Sequence, residues 1–81
     1  MVSMFLDVEK ANRKKFIALY EEYINNPSDR DIQKKAEGMG AISGHQFSED
    51  INAAASGAYK IETGRLSVDE AKKILEDLRK S

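Results

Sequence analysis

The run Ala53-Ala54-Ala55-Ser56-Gly57-Ala58, set inside the stretch from Phe47 to Glu62, constrains this chain more than any other feature. Drawn as a helix, the stretch places Phe47, Ile51, Ala54, Ala55, Ala58, Tyr59 and Ile61 on one arc, the spacing of a buried face. Most of that face is alanine. A neighbouring backbone must therefore approach closely, and larger side chains must arrive from other segments to fill the interior. Ala53 and Gly57 offer a further shallow groove on a second side. The expectation is a central helix contacted by more than one neighbour.

The first segment runs from about Ser3 or Asp7 to Asn25, with Phe16, Ile17, Leu19, Tyr20, Tyr23 and Ile24 on one broad arc. Extended backwards, the same helix carries Phe5, Leu6 and Val8 there too. It also carries Glu9, Asn12 and Arg13, a polar break between two apolar patches. Glu9 and Arg13 are four apart with the acid first, the favourable order for a helical ion pair.

Asn25-Asn26-Pro27-Ser28 ends this helix, because the residue before proline is pushed out of the helical region. The next helix starts in one of two registers. Either Asn26 caps it with Pro27 in the first turn, or Ser28 caps it with Asp31 three residues on. Ile32, Ala36 and Met39 make its thin apolar stripe, and the glycines at 38, 40 and 44 end it at Met39 or fray it through Ile42. Ser48 opens the alanine-rich helix, with Glu49 and Asp50 in its first turn. Gly64 suits the left-handed position past its end. Ser67 and Glu70 form a capping-box pattern for a last helix carrying Val68, Ala71, Ile74, Leu75 and Leu78 on one face. No strand-like alternation of useful length occurs. The expected fold is all-α, a small bundle of three to four short antiparallel helices forming a single domain over residues 1–81.

Eighty-one residues lie near the lower end of what one hydrophobic core stabilises alone, and 41% hydrophobic residues supply a modest one. The absence of cysteine excludes a disulfide framework and thiolate chemistry. Thirteen basic and fourteen acidic residues leave a net charge of -1, without the basic footprint of a dedicated nucleic-acid binder. The opening Met1–Leu6 is apolar, but no lysine or arginine precedes it and Asp7 ends it. That is too short for a signal-peptide core or a membrane span, so a cytoplasmic protein with no membrane role is expected.

Gly38, Gly40 and Gly44 invite comparison with a phosphate loop, but position 43 is serine, the preceding segment is helical and no P-loop lysine follows. His45 and Glu49 share a helical face, yet a metal site needs three or four ligands and this chain has one histidine. Asp69-Glu70 and Glu49-Asp50 are helix-start acids whose neighbours point different ways. A helix-turn-helix needs a turn of about three or four residues, whereas Gly40 to Phe47 separates the two helices concerned. The expectation is a protein that is not an enzyme, with no metal and no cofactor.

The polar break in helix one then carries the functional reading. Left buried and unpaired, its groups would cost about 1–3 kcal/mol each. They are either wetted, where the helix projects beyond the bundle, or docked against a protein. Aromatics and arginine are enriched at interface anchors. The reading adopted is a small protein-binding module (an adaptor, an inhibitor or a regulatory subunit) using Glu9, Asn12 and Arg13 with Tyr20 and Tyr23 nearby. Its partner is an unidentified protein, and a homodimer competes for the same surface. The alternative is a nucleic-acid-binding regulator using Lys10, Arg13, Lys14 and Lys15 of helix one.

Overall fold

The computed structural model describes the backbone of residues 3–42 and 47–80, with side chains from residue 8 onward in those ranges. Among them lie four α-helices and no strand: α1 Ser3–Asn25, α2 Arg30–Ala36, α3 Glu49–Glu62 and α4 Val68–Lys80. A 3-10 turn at Met39–Ala41 follows α2. The architecture is the all-α bundle expected from periodicity.

Cross-helix bonds set the directions. Arg13 reaches Asp50 and Tyr20 reaches Ala54, so α1 and α3 run the same way. Arg13 also reaches Leu78 while Tyr23 reaches Leu66, so α4 runs against α1. Helix α2 packs on both α1 and α3 and makes no contact with α4, which leaves α1 and α3 as the central pair.

Alanine makes that pairing possible. Ala54, Ala55 and Ala58 have no exposed surface, and Phe16, Tyr20, Ile51, Ile61 and Leu78 fill the space around them. Gly57 is buried on the α1 and α4 side, where a β-carbon would collide with the Tyr20 hydroxyl and stand 2.9 Å from Ile74 Cδ1. Ala53, expected to share a groove with it, is exposed. Tyr59 also departs from expectation, being 63% exposed. The buried arc of α3 is turned toward Gly57 and Ile61 because α4 packs there. Tyr59 therefore falls at the edge, its base beside Gly40 and its ring outside.

Local signals decide most helix ends. Gly64 takes φ +70°, with Arg65 N–H donating to the Lys60 carbonyl at 2.8 Å and Gly64 N–H to Ile61 at 3.0 Å. Both bonds of the glycine-terminated helix end are present. The Ser67 hydroxyl accepts the Glu70 amide at 3.1 Å, as the capping pattern requires.

Helix α2 differs from its expected bounds at both ends. Neither Asn26 nor Ser28 caps it; Asp29 does, accepting the Asp31 amide at 2.9 Å. The helix stops at Ala36 rather than Met39, because Glu37 is extended and Gly38 turns left-handed at φ +84°. Asp29→Ala is expected to lower stability by about 1 kcal/mol in urea denaturation, with Ser28→Ala within about 0.5 kcal/mol of the parent. The reverse ranking would return the cap to Ser28.

Candidate functional site

Helix α1 supplies two polar assemblies to its own chain. The first is the turn Glu9, Asn12 and Arg13. Because α3 and α4 are antiparallel, the N-terminus of α3 lies beside the C-terminus of α4, and this turn faces both. The Glu9 carboxylate accepts the Ser48 amide at 3.2 Å and also the Ser48 hydroxyl. In a capping box an acid three residues into the helix reaches back to the cap residue's amide. Ile51 occupies that position in α3, and Glu9 makes the bond from another helix instead. Asp50 takes the Ile51 amide at 3.0 Å, so Ser48 caps α3 without bonding its first-turn amides.

Arg13 joins the two helix ends. Its guanidinium donates to Asp50, to the Leu78 carbonyl at 3.1 Å and to Ser48 Oγ at 3.3 Å, and lies 3.7 Å from Glu9. Leu78 belongs to the last turn of α4, whose carbonyls have no partner within the helix. A cation there complements the negative helix end while the acids beside it complement the positive end of α3. Asn12 is buried next to this group, and no buried side-chain nitrogen or oxygen among the described residues lacks a partner.

The second assembly is the tyrosine pair. Tyr20 is fully buried and donates to the Ala54 carbonyl at 2.6 Å; Tyr23 is buried and donates to the Leu66 carbonyl. Burial pushes both phenols above their ordinary pKa, so both hydroxyls stay protonated donors.

The structure places Glu9, Arg13, Tyr20 and Tyr23 in bonds to other elements of the same chain and buries Asn12 beside them in sequence. The turn lies against the bundle, with Asn12 buried, the Arg13 side chain 17% exposed and Glu9 at the rim. Its partners are the ends of two other helices of the same chain, which one-dimensional periodicity does not locate. The tyrosines read as interface anchors for the same reason: a ring on a helical arc looks alike whether its hydroxyl meets a backbone carbonyl or a partner.

Glu9 makes the assembly sensitive to acid. Its pKa lies below the ordinary 4.5, first through the Ser48 hydroxyl, then through the Ser48 amide, with Arg13 adding to both. A depressed carboxylate contributes stability that is fully present above its unfolded value and lost as pH falls through its folded value. Glu9→Gln is expected to melt below the parent at pH 7, with the gap closing as pH drops below 4.5. Parallel melting curves from pH 7 to pH 3 would remove Glu9 from this role.

The accessible side of α1 carries a different set. Val8, Ala11, Lys15, Ala18 and Glu22 recur at three- and four-residue spacing and are all exposed. Beside them an open groove of about 280 Å³ is lined by Lys15, Ala18, Leu19, Glu22, Lys35 and Met39. Leu19 and Met39 form its apolar floor with Ala18. Lys35 donates to Glu22 at 3.0 and 3.2 Å along one edge. Val8, which periodicity sets on the arc of Phe16 and Tyr20, is exposed on this face instead.

The remaining candidates gather no chemistry. His45 and Gly44 lie outside the described residues. Gly40 packs against Tyr59 and the Ala55 carbonyl, as a close helix-to-turn contact. Among the described residues no group of three or more acids and histidines is placed to hold a metal, and no helix is long and apolar enough to cross a membrane. Compared with protein-family models, with the curated proteins and with the solved structures, the chain finds no match in any of the three.

Proposed function

We propose that this chain is a small non-enzymatic protein-binding module, an adaptor, inhibitor or regulatory subunit, that works through the outer face of α1. The observation that carries the reading is the groove at Ala18, Leu19 and Met39, an apolar floor with charged edges. Small side chains at positions 11 and 18 let a partner's backbone come close, and Met39 supplies an adaptable contact. The inner side of α1 is occupied by the bundle itself, so the outer side is where a partner gains area without unfolding the protein.

The test is capture from native lysate, with and without nuclease, using the parent, Ala18→Glu and the α4 surface variant Lys72→Glu. The expected result is a protein that survives nuclease, is lost with Ala18→Glu and is kept with Lys72→Glu. Recovery abolished by nuclease would favour nucleic-acid binding through Lys10, Lys14 and Lys15. Capture equal in all three variants would remove the groove from the function.

A further inference from the structure

We infer that α2 is a strap that lifts off as a unit while α1, α3 and α4 stay assembled, a conformational device that goes beyond the binding reading and does not depend on it. The helix has seven residues. Isolated helices shorter than about 12–15 residues are marginal in water, so the order of α2 comes from packing. Ile32 and Ala36 are its buried residues, and it packs on α1 and α3 without touching α4.

Both ends of α2 break the helical path. Pro27 and Ser28 turn the chain before the Asp29 cap, and extended Glu37 and left-handed Gly38 follow Ala36. A β-carbon at Gly38 would meet nothing within 4 Å, so no neighbour braces that end. The turn beyond it is anchored, since Gly40 lies against Tyr59 and the Ala55 carbonyl. The strap is thus strung between the end of α1 and a turn fixed on α3.

Polar ties are unequal. Among the described residues, one side-chain bond crosses from α2 to another helix, Lys35 to Glu22 at 3.0 Å, and those side chains are 59% and 46% exposed. An exposed pair of this kind contributes little. The other three helices are tied through groups with far less access to water: Tyr20 to the Ala54 carbonyl, Tyr23 to the Leu66 carbonyl, and Arg13 to Asp50 and the Leu78 carbonyl.

The seam between α1 and α2 is already open on both sides of that exposed pair. Glu22 and Lys35 line two clefts at once, one of about 590 Å³ toward Asn25, Asp31 and Ile32, the other the groove of about 280 Å³ at Leu19 and Met39. Parting the pair joins them into one trough. An occupant of the groove touches Lys35, so on the binding reading it holds the strap down, and lifting and binding oppose each other.

The experiment is native-state hydrogen exchange of the full chain, followed amide by amide by NMR at increasing sub-denaturing urea. Amides 33–37 are expected to be protected at least about tenfold less than the slowest amides of α1 and α3, and to share one opening with a shallow urea dependence. Two mild variants separate the units. Ile74→Val, in α4, should lower protection of the slowest amides by roughly threefold to tenfold and leave amides 33–37 unchanged, because it weakens the closed and lifted forms alike. Ile32→Val should lower both sets by the same factor, because it weakens the closed form alone.

Equal protection and urea slope in α2 and the other helices, or lower protection of amides 33–37 in Ile74→Val, would mean that α2 leaves only when the whole fold unfolds. Protection declining residue by residue from the ends of α2, with no response to Ile32→Val, would mean fraying. Either overturns the inference. No partner takes part, so this outcome is separate from that of the lysate capture.

Discussion

Gly57→Ala lowers the melting temperature by roughly 10–25 °C, although it improves helix propensity by about 1 kcal/mol. The loss arises at the contact between α1 and α3. A methyl group at position 57 overlaps the Tyr20 hydroxyl and crowds Ile74, so either the helices part or Tyr20 abandons the Ala54 carbonyl. Overpacking of a tight core costs about 1–3 kcal/mol. A buried hydroxyl deprived of its acceptor adds about 1–3 kcal/mol. Net of propensity, about 1–5 kcal/mol is lost, a large part of the stability of so small a domain.

A double-mutant cycle identifies the cause. Tyr20→Phe alone is expected to cost about 1 kcal/mol, because a carbonyl inside a helix keeps its helical partner. In that background Gly57→Ala should cost less than in the parent, by at least about 1 kcal/mol, since the clashing oxygen is gone. Additive effects, or a neutral Gly57→Ala, would mean that α1 does not seat on α3 through this glycine.

The second large effect is at Arg13. Arg13→Met should destabilise the fold by about 2–3 kcal/mol, between the value of an exposed ion pair and that of a fully buried one. Its side chain is 17% exposed and that of Asp50 is 14% exposed, so little water remains to replace the lost contact. Three bonds go at once: to Asp50, to Ser48 and to the Leu78 carbonyl. Hydrogen exchange should therefore show the first turn of α3 and the last turn of α4 losing protection together. Protection lost at one end alone would break the assignment of Arg13 as the bridge. Arg13→Lys should recover only part of the stability, since an ammonium lacks the planar fork that reaches a carboxylate and a carbonyl simultaneously. Adding Asp50→Asn to Arg13→Met should return some of the loss by removing the stranded charge.

Both effects separate what is written locally from what is not. Gly57 is legible as a small residue on a helix, and its consequence is not, because the atom it admits comes from Tyr20, 37 positions earlier in the chain. Gly64 and Ser67 were readable outright: the left-handed turn and the cap each involve backbone within five residues. Local reading left Asn26 and Ser28 open as the cap and missed Asp29, since all three are competent caps. Ser48 begins α3 as read, yet its hydroxyl turns to Glu9 and Asp50 once α1 is docked beside it.

The helices, their order and the alanine face of α3 were therefore determined by sequence alone. Their physics is short in range, resting on apolar spacing, caps and glycine conformation. Only the tertiary structure decided what Glu9, Arg13, Tyr20 and Tyr23 do. A polar residue on an apolar arc has the same spacing whether it meets water, a partner or the end of another helix. Packing α3 against α4 in opposite directions brings a positive and a negative helix end together, and α1 carries the charges that fit both.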